Sequence, residues 1–107
     1  MMFYLVGSRF YGMHREDSDY DYVAEDTPEN RATCERMGLQ RILSSPKVRY
    51  GGLSNGRSYD VCLYKNVAKY VRARDKVAQL PSIYGWTTDE RHAKVLEFLQ
   101  EDTDGMV

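Results

Sequence analysis

Cysteine, histidine, proline and tryptophan are all scarce in this chain: 107 residues hold two cysteines, two histidines, three prolines and one tryptophan. So few cysteines leave no disulfide scaffold, and with two histidines there is no Cys/His spacing for zinc. Cys34 falls on a predicted helix and Cys62 in a predicted core strand, which reads as two reduced, buried thiols in a cytoplasmic protein. No apolar run approaches the ~20 residues of a membrane span. The opening Met1-Met2-Phe3-Tyr4-Leu5-Val6-Gly7 is too short, and too poor in basic residues, for a signal peptide. Internal repeats, low-complexity stretches and linkers are also missing. What remains is the composition of an ordinary globular protein, 42% hydrophobic and 29% charged, read as a single domain over residues 1–107.

The net charge of −1 hides an uneven distribution. Residues 1–30 carry seven acids (Glu16, Asp17, Asp19, Asp21, Glu25, Asp26, Glu29) against Arg9 and Arg15. Residues 65–76 carry five bases (Lys65, Lys69, Arg72, Arg74, Lys76) against Asp75. An acidic edge opposed to a basic helix suits a protein that handles nucleotides, although a basic run by itself reads as a solvated helix face.

The acidic half contains the informative pattern. Phe3-Tyr4-Leu5-Val6 is rich in aromatic and branched side chains and reads as a buried strand. Gly7 ends it and lets the backbone turn sharply and approach a ligand. Ser8 can cap a very short helix running to Tyr11, with Gly12 as its stop. Free N–H groups there, the Ser8 hydroxyl and the Arg9 fork all suit phosphate. In Asp19-Tyr20-Asp21-Tyr22-Val23-Ala24, read as a strand, Asp19 and Asp21 share one face about 7 Å apart. Hard oxygens so placed suit Mg²⁺ or Mn²⁺. Ser18 beside them can hydrogen-bond a carboxylate or a phosphate.

A third carboxylate, Asp60, comes later in the chain. Asn55-Gly56 predicts the turn of a hairpin whose second strand contains Asp60-Val61-Cys62-Leu63-Tyr64. Laid beside the Asp19 strand, it brings Asp60 to the same edge. Three carboxylates of this kind hold two divalent ions about 3.5–4 Å apart.

Gly7-Ser8, then Asp19-Tyr20-Asp21 with Ser18 ten residues after Ser8, then a strand-borne Asp60, resembles the DNA-polymerase-β-like nucleotidyltransferase superfamily. The fuller string Gly7-Ser8-Arg9-Phe10-Tyr11-Gly12 … Ser18-Asp19-Tyr20-Asp21-Tyr22 looks most like its minimal bacterial and phage members. The resemblance runs over residues 3–24 and extends to residue 64. It implies an NTP substrate, with the triphosphate at Gly7 and Ser8 and Arg9 as a helper. It implies metal at Asp19, Asp21 and Asp60, with Asp60 also helping to deprotonate the acceptor hydroxyl. Family members often carry a helix before the first strand and, when larger, a second domain; neither has room here.

Elsewhere, Thr27-Pro28-Glu29 predicts a helix to about Met37, stopped by Gly38. Pro46 separates it from the hairpin. Asn66 starts a helix to about Gln79 with a stripe of Val67, Tyr70, Val71, Arg74, Val77 and Ala78, broken by Pro81 and Gly85. Thr87 and Glu90 stand at capping-box spacing ahead of a third helix that buries Val95, Leu96, Phe98 and Leu99 and frays from Glu101. His14 and Arg15 read as exposed loop residues, His92 as a surface or packing residue, Trp86 as a core anchor, and most of the nine tyrosines as core or rim.

The expected fold is α/β (α+β): a small mixed sheet of about four strands with helices mainly on one face. The expected activity is Mg²⁺-dependent transfer of a nucleoside monophosphate to a hydroxyl of RNA, a small molecule or a protein. Two other readings stand beside it: a non-catalytic interaction protein on the same scaffold, acting on a protein partner or as a homo-oligomer, and transfer of AMP to a partner protein.

Overall fold

The structure, a computed structural model, describes residues 3–45, 47–80, 83 and 85–104. Pro46 and Pro81 lie outside them. The chain falls into two compact units, residues up to Val67 and residues from Ala68 onward.

The first unit is a mixed sheet in the order β1-β2-β5-β4-β3. Its strands are β1 (Phe3–Val6), β2 (Tyr20–Glu25), β3 (Gln40–Arg41), β4 (Val48–Ser54) and β5 (Arg57–Tyr64). Two helices join them: α1 (Gly7–Tyr11) and α2 (Pro28–Arg36). β1 runs antiparallel to β2, β2 parallel to β5, and β5 antiparallel to β4. The sheet therefore has five strands where about four were expected. The addition is β3, two exposed polar residues on the edge of β4, too short to show any alternation. The Asn55-Gly56 turn is as expected: both residues have positive φ, 53° and 76°, as a tight hairpin turn requires.

The alternation of β2 and β5 divides the sheet into two faces. One carries Ala24, Val61 and Leu63, which form a core with Tyr50, Leu39 and Cys34 of α2, flanked by Phe3, Tyr22, Met37, Val48 and Tyr59. Cys34 is fully buried, and burial pushes its thiol up to about 11, so it stays protonated. The other face carries Asp21, Val23, Asp60 and Cys62. α2 begins where the sequence indicated, with the Thr27 hydroxyl accepting from the Asn30 N–H at 3.1 Å and Pro28 at the first helical position. Asn30 is buried, and its Nδ2 donates to the Glu25 carbonyl at 2.8 Å, tying α2 to the end of β2. Thr27→Ala should cost about 1 kcal/mol, read as a lower urea midpoint at unchanged slope.

The second unit holds α3 (Val67–Ala78), all but its first residue, and α4 (Thr88–Asp104). Tyr70, Ala73 and Val77 are its buried stripe on α3; Ala78 is exposed, and Val71 and Arg74 are half-buried. The capping box is present: Glu90 N–H donates to the Thr87 hydroxyl at 3.2 Å, and Thr87 N–H donates to Glu90 at 3.0 Å. Val95 is buried, but Leu96 is 39% exposed, so it is not part of the inner stripe expected for it. No helix among the described residues is long and apolar enough to cross a membrane.

Candidate active site

Asp21 sits in the middle of the acidic face. Its Cα partner on one side is Val6, the last residue of β1, and on the other side it is Asp60 of β5. Registered neighbours project to the same face, so the two carboxylates stand side by side on adjacent strands. Asp60 thus lies at the edge the sequence indicated. Asp19 is exposed and precedes β2, whose first residue is Tyr20, one position later than expected.

Gly7 immediately follows Val6, with φ +71°. A Cβ there would collide with Oδ2 of Asp21 and lie 3.1 Å from its carboxyl carbon. The turn after β1 and the central carboxylate therefore touch, and only glycine permits the contact.

The electrostatics follow from this crowding. The Asp21 carboxyl is raised to about 6, first by burial, then by the charges of Asp60 and Asp19, against the opposing pull of Arg49 and Arg9. Asp60 is hydrogen-bonded through both oxygens to the Arg49 guanidinium: Nε donates to Oδ1 at 2.8 Å and Nη2 to Oδ2. That carboxylate holds the guanidinium above its usual range. The Cys62 thiol, two residues beyond Asp60 on the same face, is raised by burial and then by Asp60, which disfavours a nucleophilic thiolate.

Several sequence expectations change at the rim. Ser8 lies inside α1, whose N-cap is Val6 and makes no side-chain cap. The helix begins at Gly7 itself, so Ser8 has no capping position to fill. Gly12 ends the helix in a left-handed conformation, as expected. The Arg9 fork donates to the Ser18 carbonyl at 3.0 and 3.2 Å and to the Glu16 carbonyl at 3.1 Å, and it lies 3.9 Å above the Tyr20 ring. Arg9 thus clamps the loop between α1 and β2. The Ser18 hydroxyl accepts from the Arg15 N–H at 2.9 Å, which commits it to the same loop. His14 and Arg15 are exposed. On the opposite face the Tyr59 ring packs against both Tyr20, tilted at a centroid distance of 5.5 Å, and Tyr22, stacked at 6.2 Å.

Arg49 is the residue that sequence reasoning missed. Counting outward from the Asn55-Gly56 turn pairs Arg49 with Cys62 and puts it diagonally beside Asp60, so the signal was present in the hairpin register.

The donor set suits a hard divalent cation. Its ligand atoms are carboxylate oxygens, Asp21 carries negative charge that its surroundings do not fully offset, and a guanidinium already answers the charge of Asp60. Among the described residues no three acidic, imidazole or thiol groups stand together as a ready-made cage. No family model matches the chain, nor does any curated protein or solved structure.

Proposed function

We propose that this protein is a magnesium-dependent nucleotidyltransferase, joining a nucleoside monophosphate from an NTP to a hydroxyl acceptor. The observation that carries the reading is the pairing of Asp21 with Asp60 on adjacent parallel strands, against the side-chain-free turn at Gly7. Asp19, Asp21 and Asp60 are the residues that would hold the metal. Bound there, magnesium supplies positive charge that draws in phosphate oxygens and makes the acceptor hydroxyl more acidic.

The chain's own residues supply the rest. Gly7 and Ser8 give the polyphosphate a surface it can approach closely. Arg9, spent on the Ser18 and Glu16 carbonyls, fixes the loop that delivers Asp19 and Asp21. Asp60 orients the acceptor hydroxyl and takes its proton. The acceptor oxygen bonds to the α-phosphorus as the bond to the β-phosphate oxygen breaks, and pyrophosphate leaves.

Incubation with each α-labelled NTP, Mg²⁺, and RNA ends, small hydroxyl compounds or proteins tests this directly. Label should enter one acceptor class with one pyrophosphate released per transfer, and Asp60→Asn should slow it by at least about 10²-fold. One observation favours the interaction-protein reading: Asp60 is already neutralised within the protein by Arg49. A stable complex with a protein, and no label transferred to any acceptor, would establish that reading instead.

A further inference from the structure

Arg49 stands out because its guanidinium is hydrogen-bonded to an acid of the cluster through both carboxylate oxygens. Arg9 pulls on Asp21 through its charge while its Nε and Nη2 donate to loop carbonyls. Lys47, which precedes β4, donates to the Tyr64 hydroxyl at 3.4 Å. Opposite Asp60 on β4 is Gly51, where the Ile42 side chain takes the room a Cβ would need, its Cδ1 3.0 Å from that position. The Arg49 fork reaches Asp60 from two residues away from Gly51 on the same face and engages both oxygens, a bidentate pairing whose positive charge opposes a second cation at that carboxylate.

We infer that Arg49 is a built-in counter-cation, competing with a divalent metal for Asp60 and turning to the nucleotide's phosphates once displaced. The inference rests on the function proposed above and names a positioning residue for that site. Two features make the exchange feasible. The pair is half-buried but reached by water, with Arg49 40% and Asp60 21% exposed at the side chain, so the guanidinium can leave toward solvent. The Arg49 backbone is held by the Ile42 N–H at 2.8 Å, so only the flexible side chain needs to swing. A guanidinium suits both partners, since its fork matches carboxylate and phosphate alike. The exchange would make metal loading and phosphate capture interdependent. With nothing bound, Asp60 is neutralised. With metal at Asp60, a free guanidinium becomes available where the anionic substrate arrives.

The competition predicts effects of opposite sign, which a purely structural role does not. Mn²⁺ binding, followed by loss of the free-ion EPR signal, is to be measured without nucleotide on wild type, Arg49→Met, Arg49→Lys and Asp21→Asn. Inorganic triphosphate binding is then measured at saturating Mn²⁺. Arg49→Met should bind Mn²⁺ about tenfold tighter and triphosphate about tenfold weaker, the size of one lost charge-assisted hydrogen bond. Arg49→Lys, which keeps the charge but not the fork, should tighten Mn²⁺ by less; it decides the matter if the methionine variant does not fold by circular dichroism. If Mn²⁺ affinity is unchanged or falls in the Arg49 variants while remaining dependent on Asp21, the role given to Arg49 is wrong and the proposed function stands. If wild type binds no Mn²⁺, or Asp21→Asn binds it equally well, the proposed function itself is wrong.

Discussion

Asp21→Asn is expected to make this protein more stable at neutral pH. In the unfolded chain an aspartate titrates near ~3.9. In the folded protein, burial and the charges of Asp60 and Asp19 raise Asp21 to about 6. Between those two values the native state binds more protons than the unfolded state, so stability falls as pH rises through the window, and the whole penalty is present above about 6. A shift of this size corresponds to at most about 3 kcal/mol, and partial solvent access reduces it to about 1–2 kcal/mol. Asparagine keeps the shape and loses the charge. Urea unfolding in the presence of a chelator should show the variant's advantage over wild type growing from about pH 4 to about pH 6.5 and reaching about 1–2 kcal/mol at pH 7.5. Adding Mg²⁺ should recover much of the difference for wild type and do little for the variant. A variant less stable than wild type at pH 7.5 would mean that Asp21 has a structural partner, and that its charge is not under strain.

Gly7→Ala should be among the most damaging single substitutions in the chain. At φ +71° an L-residue costs about 1–2 kcal/mol, and the new Cβ would also run into the Asp21 carboxylate. The overlap adds about 1–2 kcal/mol, for a total of about 2–4 kcal/mol, or a fall of roughly 10–20 °C in melting temperature. Gly12 provides the control. Its φ is +76°, but a Cβ there meets nothing within 4 Å, so Gly12→Ala should cost only the backbone share, about 1–2 kcal/mol. The difference isolates the contact between turn and carboxylate. Placing Gly7→Ala in an Asp21→Ala background should recover about 1 kcal/mol of the loss by double-mutant cycle. Equal costs at Gly7 and Gly12 would remove the steric link between the turn and the acidic face.

Much of this site was legible in the sequence, because its parts are of kinds that sequence states strongly. A glycine after a short apolar strand, two acids on alternate strand positions, and Asn55-Gly56 between two β-rich runs each have a local physical cause. The register that sets Asp21 beside Asp60 follows once β2 and β5 are taken as neighbours. Less legible was what side chains do when several partners are within reach. Arg9 and Ser18 are residue types that suit phosphate, yet the loop between α1 and β2 has carbonyls and N–H groups to satisfy, and these engage both residues. β3 was hidden because two polar residues pair with β4 through backbone alone. Asp60 was found and its partner was not, because a diagonal pair across a hairpin leaves no mark in either strand's composition.

The central claim is that Asp19 and Asp21, with Asp60 and the Gly7 turn, bind nucleotide together with a divalent cation. Calorimetric titration with Mn²⁺ and a non-hydrolysable ATP analogue tests it most directly, on wild type and on the Asp19→Asn, Asp21→Asn double variant, both verified as folded. Binding by wild type that needs the metal and vanishes in the variant is the expected result; metal-independent binding, equal binding by the two proteins, or no binding by either would contradict the claim.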